Sequence, residues 1–237
     1  MKKTIISCVL FLTAVTAFSQ TPMKTAAEAK LSASDLAVKI ADRILATTTY
    51  EFKNTKTGKT YKSVKNLPLD MNVKVACKYN NWHYTNGVTH IALMELADKT
   101  GAKKYDDYVL KNMNFVFNEG NLDFFKKQYD QAMKNEGWYG VRKLSWHMIF
   151  RGKRLDDNGP MGASLIDLQM KHPNNSFLNY INETAEHLNY GEPRLADGTI
   201  ARIWPHENTI WADDAFMAIS FLARMAKMTG DMSYIND

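Results

Sequence analysis

Apolar and polar residues follow each other along the chain with the spacing of amphipathic helices, in a unit that occurs three times. In the first copy an apolar helix opens near Tyr84 and stops at Thr100 and Gly101, and a second helix returns over residues 105–117. Apolar positions three and four residues apart predict a helix with one buried face. Each unit is therefore predicted to be a helical hairpin with a tight turn.

The other two copies occupy the second half of the chain. The second covers residues 156–188, and the third opens at Asp213 and ends at Asp237, a few residues into its return helix. Internal repetition of this kind is typical of folds that stack one supersecondary unit. We expect an all-α protein with hairpin turns near residues 100, 172 and 229. We also expect the sequence to be the N-terminal part of a longer domain.

The segments outside the repeat are predicted to be mainly irregular. Ser34 and Asp35 can cap a first amphipathic helix, because their side chains accept N–H groups of a first helical turn. Asp197 and Gly198 between β-prone runs predict a small hairpin around 195–204, the single β element expected. The remaining predictions are a loop at 53–65, a short helix at 124–133 and an irregular aromatic segment at 137–154.

The N-terminus has the pattern of an export signal. Lys2 and Lys3 precede an apolar segment, and small residues stand before a cleavage site ahead of Gln20. We therefore expect a bacterial protein that is periplasmic or secreted. A lipoprotein is not expected, because the apolar segment before Cys8 is short. The predicted organisation is a signal peptide at 1–19, a leader at 20–34 and the domain at 35–237.

Composition narrows the class of protein. The 237 residues are 45% hydrophobic, enough for one substantial core, so we predict a single domain. The formal charge of +5 comes from basic residues that are scattered along the chain, so no nucleic-acid partner is predicted. After the signal no stretch reaches about 18 uninterrupted apolar residues, so no membrane span is predicted.

Two pairs of adjacent carboxylates carry the candidate chemistry. Asp156 and Asp157 open the second copy, and Asp213 and Asp214 open the third. An Asp before a helix is commonly a cap, so capping and catalysis are both open interpretations. Because one acid of each pair suffices for capping, Asp157 and Asp214 are the expected caps. Asp156 and Asp213 are then expected to face the axis around which the hairpins stack.

Stacking of the repeats predicts where these residues meet. Equivalent positions in consecutive hairpins lie at the same end of the assembly. We therefore expect Asp156 and Asp213 close together at one end of the stacked hairpins, which we call the rim. Trp82 and Trp211 are expected on the same rim. Either Trp by itself suits a core, but on a rim with carboxylates it also suits stacking on a sugar ring. The equivalent sets in this register are Tyr84, Asp156 and Asp213, and Trp82, Arg154 and Trp211.

Three motifs carry a resemblance to a known enzyme family. They are Trp-His-Tyr-Thr-Asn-Gly-Val at 82–88, Asp-Asp-x-Gly-x-Met-Gly at 156–162, and Trp-x-Asp-x-x-x-Met followed by Phe-Leu-Ala-Arg within 210–225. Over roughly residues 35–237 the chain resembles the unsaturated glycuronyl hydrolases of glycoside hydrolase families 88 and 105, the latter including unsaturated rhamnogalacturonyl hydrolases. The resemblance implies an (α/α)6 barrel, a toroid of six hairpins. This chain would supply about the first half, and that half is expected to be inactive by itself.

The resemblance also implies a reaction. Enzymes of this family release a 4,5-unsaturated uronic acid from the non-reducing end of lyase-generated oligosaccharides by hydration of its vinyl ether. Asp213 matches the general acid/base of the family and Asp156 matches its partner. The alignment slips by one residue at each pair, so Asp214 and Asp157 remain alternatives.

Substrate contacts are expected from the motifs and from the loops on the same rim. The predicted partner is an unsaturated oligosaccharide, and no cofactor or metal is predicted. Two other classes remain open: another (α/α)6 hydrolase that acts on saturated sugars, and a non-catalytic helical repeat protein that binds glycans. The candidate binding residues are Trp211, Trp82, Tyr84 and Asn86 from the motifs, and Arg202, His206 and His147, each equally suited to fixing a loop.

Overall fold

A computed structural model of the chain describes residues 32–152 and 154–236. The predicted signal peptide and residues 20–31 of the predicted leader lie outside the described residues. The structure divides into two units, Met1–Ile40 and Ala41–Asp237. In the first unit, Ser32 Oγ accepts the Asp35 N–H at 3.1 Å and the Ser32 N–H donates to Asp35 at 3.2 Å. This reciprocal cap opens the first helix at Ala33, so Asp35 takes part in the cap as predicted, but its partner is Ser32 and the predicted role of Ser34 was wrong.

The described residues are mainly helical, and none of their helices is both long and apolar enough to cross a membrane. A single π-helical turn, His187–Gly191, follows the seventh helix. The helices are α1 Ala33–Thr47, α2 Tyr84–Thr100, α3 Lys104–Phe117, α4 Glu119–Val141, α5 Met148–Arg151, α6 Leu155–Lys171, α7 Asn175–Glu186, α8 Ala212–Thr229 and α9 Ser233–Asn236, and the strands are β1 Phe52–Asn54, β2 Thr60–Tyr61 and β3 Val73–Val75.

The three predicted hairpins are α2–α3, α6–α7 and α8–α9, and their turns are confirmed. Gly101 and Gly230 end the first helices of two hairpins with φ of 69° and 77°, a left-handed conformation that glycine adopts at little cost. The middle hairpin turns differently. There Asn174 caps the return helix by accepting the Ser176 N–H at 2.8 Å.

Helix α6 is the centre of the core and packs against α2 on one side and α8 on the other. Its backbone approaches both neighbours so closely that only glycine fits at the contacts. A Cβ on Gly87 would lie 2.3 Å from the Pro160 carbonyl carbon, and one on Gly159 would lie 2.4 Å from the Met217 oxygen. These contacts place the first turns of the three helices side by side. Helices α3 and α7 pack behind them, as the return helices of α2 and α6.

A small antiparallel sheet occupies the region for which a loop was predicted. Its strand order is β2-β1-β3, with Phe52 opposite Tyr61 and Val75. Phe52 and Val73 are fully buried, and the Phe52 ring lies 5.7 Å from that of Phe124. The loop prediction at 53–65 was wrong because strands of two or three residues are too short to show a period.

The region after the first hairpin also differs from the prediction. Helix α4 extends well beyond the predicted 124–133, and Gly137 (φ 59°, ψ −150°) interrupts it. The segment 137–154, predicted to be irregular, includes the end of α4 and the short helix α5. Around 195–204 the predicted hairpin is reduced to two isolated bridges, Arg194 with Ile200 and Arg202 with Thr209.

Buried His90 in α2 should make the stability of the fold depend on pH. Its side chain is 2% exposed, Nε2 lies 3.3 Å from the Asn112 amide, and Nδ1 has no hydrogen-bond partner among the described residues. Burial lowers the pKa of His90 from 6.5 to about 4. The neutral form therefore contributes stability that is fully present above pH 6.5 and is lost as the pH falls towards 4, by about 3 kcal/mol.

The measurement is the free energy of unfolding between pH 7 and pH 4, for the natural protein and for His90→Gln. Glutamine stays neutral and keeps a hydrogen-bonding group near Asn112, so the variant should lack this component of the pH dependence. Equal pH slopes for the two proteins would contradict the assignment. Taking the difference between the two proteins removes the contribution of other titrating groups.

Candidate active site

The two carboxylate pairs occupy the same positions in the first turns of α6 and α8. Arg154 and Trp211 are the N-cap residues, both with extended backbones (φ −143° and −109°). Asp156 and Asp213 are therefore the second residues of their helices. In α2 the N-cap is His83, so the equivalent second residue is Thr85. The predicted equivalence of Tyr84 was wrong by one position.

Helices α2, α6 and α8, the first helices of the three hairpins, are called the inner helices below. The third residue of each inner helix is a buried polar residue that binds the chain segment before the helix, and we call it an anchor. In α2, Asn86 donates to the carbonyl oxygens of Lys78 and Asn81 at 2.9 and 2.8 Å. In α6, buried Asp157 accepts two hydrogen bonds from the Arg151 guanidinium. In α8, buried Asp214 is the third anchor, and its partner lies in the loop before the helix.

The prediction of Asp157 and Asp214 as caps was therefore wrong. Neither N-cap residue makes a side-chain capping bond, and both carboxylates are instead paired with arginine. Burial raises the pKa of Asp157 although Arg151 opposes the shift. A buried carboxylate is strongly destabilising without such a partner, so the arginines hold these acids in place.

Asp156 and Asp213 remain accessible, and their predicted proximity is confirmed. One carboxylate oxygen from each of Asp156, Asp213 and Asp214 lies within 4.8 Å of the corresponding oxygens of the other two. The Asp156 side chain is 30% exposed and Asp213 is exposed, so both can reach a ligand. Pairing with arginine leaves Asp214 the least available acid of the three.

Arg202 supplies the positive charge of this cluster. Its guanidinium donates to Asp214, with Nη2 2.7 Å from Oδ1, and Nη2 lies 3.9 Å from Asp156. The same group lies 4.1 Å from the centre of the Trp211 ring, a cation–π contact. Three converging carboxylates could hold a metal ion, but such an ion would compete with Arg202 for the same oxygens.

A cavity of about 480 Å³ opens beside the cluster, within the size range of ligand sites. Asp156, Asp214 and Arg202 line one part of it. Two further polar residues of the lining, His187 and Glu192, were missed by the sequence reasoning because they follow α7 outside any motif. The full lining is Arg154, Leu155, Asp156, His187, Gly191, Glu192, Pro193, Ala201, Arg202, Ile203, Trp204 and Asp214.

The other predicted contact residues divide between surface and core. Trp211 is 41% exposed, His206 is exposed, and Tyr84 is partly buried with its ring 4.5 Å from that of His83. These residues can present a face to a ligand. Trp211 contacts Arg202 of the carboxylate cluster, but Trp211, Tyr84 and His206 are all absent from the cavity lining.

Trp82, Asn86 and His147 are buried and serve as supports. The Trp82 indole N–H donates to the Asp157 carbonyl at 2.8 Å, so this ring braces the first turn of α6 and has no exposed face for a sugar. His147 Nδ1 lies 3.0 Å from the Leu144 oxygen, and burial lowers its pKa. The sequence could not distinguish a buried Trp from one at a sugar site, because both a hydrophobic core and a sugar ring favour aromatic side chains.

Comparisons with known proteins give one matching family model and a similar solved structure. Residues 55–237 match the sequence model of the family described as Glycosyl Hydrolase Family 88. A search of the curated proteins gives no match. A crystal structure described as a possible member of the GH105 family from Klebsiella pneumoniae subsp. pneumoniae is similar over 91% of this chain and 48% of that one, with 13% identity and a TM-score of 0.49. The chain thus spans about half the length of that structure.

Proposed function

The chain belongs to Glycosyl Hydrolase Family 88, and on that premise we propose that the natural protein releases a 4,5-unsaturated uronic acid from the non-reducing end of oligosaccharides. The described hairpins form part of the all-α barrel expected for the family. The observation that carries the proposal is the pair of accessible carboxylates, Asp156 and Asp213, at the adjacent starts of two inner helices. We also propose export of the protein, which rests on the sequence of residues 1–19.

In the proposed reaction Asp213 is the general acid and base. Its proton goes to C4 of the substrate, water adds its oxygen to C5, and the carboxylate takes the proton that the water loses. The product is a hemiketal at C5. Breaking of the bond between C5 and the ring oxygen gives a ketone at C5 and a hemiacetal at C1, which collapses to an aldehyde and releases the second sugar as an alcohol.

The neighbouring groups suit these steps. Asp156, within 4.8 Å of Asp213 by their carboxylate oxygens, can hold the attacking water or a substrate hydroxyl. Arg202 balances part of the negative charge of the cluster, so two exposed carboxylates can stay near each other. Trp211 is partly exposed and offers an apolar surface for a sugar ring, and the Arg202 guanidinium lies 4.1 Å from the centre of its ring.

The spacing of the acids weighs against one rival reaction. Inverting hydrolysis of a saturated sugar needs carboxyl groups about 6.5–9.5 Å apart, so that a water fits between acid and base. One carboxylate oxygen of Asp156 lies within 4.8 Å of one of Asp213, which favours a shorter separation than that range. Retaining hydrolysis of a saturated sugar, with carboxyl groups about 5–5.5 Å apart, is the second candidate.

A substrate comparison tests the proposal. The natural protein should consume a lyase-generated unsaturated disaccharide, with loss of the ultraviolet absorbance of the conjugated double bond, because hydration removes that bond. The saturated counterpart, followed by release of reducing sugar, should not react. Cleavage of the saturated disaccharide, or sugar release without loss of absorbance, would favour the retaining mechanism. Binding of both without turnover would instead indicate a glycan-binding protein.

A further inference from the structure

The β1–β2 hairpin and the chain after it concentrate positive charge. Residues 52–69 contain five lysines and no acidic residue, and they lie between Glu51 and Asp70. The whole chain has 30 basic and 25 acidic residues, so removing these five lysines leaves 25 of each and no net charge. All five side chains are exposed, and we call them the lysine cluster: Lys53, Lys56, Lys59, Lys62 and Lys65.

The lysine cluster lacks the carboxylate partners that other exposed lysines have. Lys104 and Lys126, for example, lie 2.5 and 2.6 Å from aspartate oxygens. No ion pair among the described residues includes a lysine of the cluster. Asp70 interacts electrostatically with Lys56 alone of the five. Most of the positive charge of this surface is therefore not compensated within the described part of the protein.

The register of the sheet places two lysines opposite each other. Lys53 of β1 pairs with Lys74 of β3, on the face of the sheet turned away from buried Phe52 and Val73. Like charges at directly opposite positions destabilise a sheet. Lysines at a sheet edge can prevent edge-to-edge pairing, but β1 is the central strand. Neither stability nor edge protection accounts for Lys53, which points to a role in binding.

The backbone that carries the lysine cluster is held firmly. Gln128 of α4 donates to the Val73 carbonyl at 2.8 Å and so fastens the sheet to a helix. In the loop between β1 and β2, Asn54 Oδ1 accepts the N–H groups of Lys56 and Thr57, both at 3.0 Å. A fixed backbone with long side chains lets the ammonium groups adjust to a ligand without losing their common location.

The composition of the segment suits an acidic polysaccharide. Lysine is a flexible point charge, and residues 52–69 contain no arginine, whose planar group favours bidentate recognition of phosphate. Exposed Thr60 and Ser63 stand between the lysines and can hydrogen-bond to sugar hydroxyls. The exposed residues of the segment include no aromatic ring to stack on a nucleic-acid base. Leu69 is their one large apolar side chain, too little for insertion into a membrane surface.

We propose that the lysine cluster binds the acidic polysaccharide from which the unsaturated oligosaccharides are cut, and that it holds the enzyme on that polymer. No residue of the cluster lines the catalytic cavity, so this is a second site. The choice of polymer rests on the proposed function. A lyase leaves a 4,5-unsaturated uronic acid only where the polymer contains uronic acid, so the parent chain carries carboxylates. Binding through exposed charges should weaken as salt is added.

The test measures the affinity of the natural protein and two variants for immobilised polygalacturonate, with dextran as the neutral polymer. The cluster variant should bind polygalacturonate about 10-fold or more weakly, with an unchanged melting temperature and unchanged turnover of an unsaturated disaccharide. The control variant loses the same charge at exposed lysines outside the cluster and should bind much like the natural protein. The cluster variant carries Lys53→Gln, Lys59→Gln and Lys62→Gln, and the control carries Lys99→Gln, Lys134→Gln and Lys227→Gln.

Four results would overturn the inference. They are equal loss of affinity in both variants, which would make the binding an effect of net charge; equal affinity for dextran; tighter binding to anionic phospholipid vesicles or duplex DNA than to polygalacturonate; and aggregation of the cluster variant with unchanged affinity, which would leave edge protection as the role. The proposed reaction is judged separately. Binding that depends on the cluster in a protein without turnover would keep the surface and refute the reaction, and turnover without binding to the polymer would do the reverse.

Discussion

Asp213→Asn should reduce the turnover of unsaturated disaccharides by at least about 100-fold and up to about 10,000-fold, the usual contribution of a general acid/base. The amide cannot donate the proton that C4 requires or collect one from water. Asp213 is exposed and lies outside the Arg202–Asp214 ion pair, so its substitution leaves that pair intact. Substrate binding and the free energy of unfolding should therefore change little.

The measurement is the initial rate of absorbance loss in the natural protein and its variants. Asp231→Asn is the matched control. It lies after α8, where its Oδ1 accepts the Ser233 N–H, a bond that asparagine can keep. Asp214→Asn should instead destabilise the fold, because it weakens a buried ion pair. If Asp213→Asn reacts normally and Asp214→Asn does not, the assignment is wrong by one residue, and if neither matters the hydrolase proposal fails.

Gly159→Ala should be destabilising although alanine is the better helix former. The added Cβ would lie 2.4 Å from the Met217 oxygen and 2.8 Å from its carbonyl carbon, so α6 and α8 must move apart. Overpacking of this kind costs about 1–3 kcal/mol. The same displacement would separate Asp156 from Asp213, so turnover should fall together with stability.

Chemical denaturation and the rate assay together check this prediction. The control is Gly120→Ala in α4, where the nearest atom to the added Cβ is Val64 Cγ2 at 3.2 Å, the end of a side chain that can adjust. That variant should be neutral or gain up to about 1 kcal/mol from helix propensity. Equal stability of the two variants would contradict the close contact of α6 with α8.

The features that could be predicted from the sequence are those that recur in the three copies of the helical hairpin. Hairpins α2–α3 and α6–α7 follow from apolar spacing and from turn residues such as Gly101. The meeting of Asp156 with Asp213 follows from their equal phase in two copies of one unit. Equivalent positions of stacked repeats are neighbours in space, so contacts between residues far apart in the sequence could be predicted within the repeats.

Features made by single contacts could not be predicted in that way. The strands of the small sheet are too short for a period, and their stability comes from Phe52 packing among other rings. Trp82 is fully buried among other rings, and its indole N–H donates to the Asp157 carbonyl, a partner 75 residues away. His187 and Glu192 meet through one π-helical turn, for which no sequence signature was available.

Two different roles fall on neighbouring residues at the start of the inner helices. The third position, held by Asn86, Asp157 and Asp214, fastens the chain segment before the helix, whereas the second position, in α6 and α8, carries an accessible carboxylate. After duplication of such a unit, a loop can lengthen or shorten while its anchor keeps the helix start in place. New loops and hence new sugar preferences can then be acquired without displacing the acids at the second position.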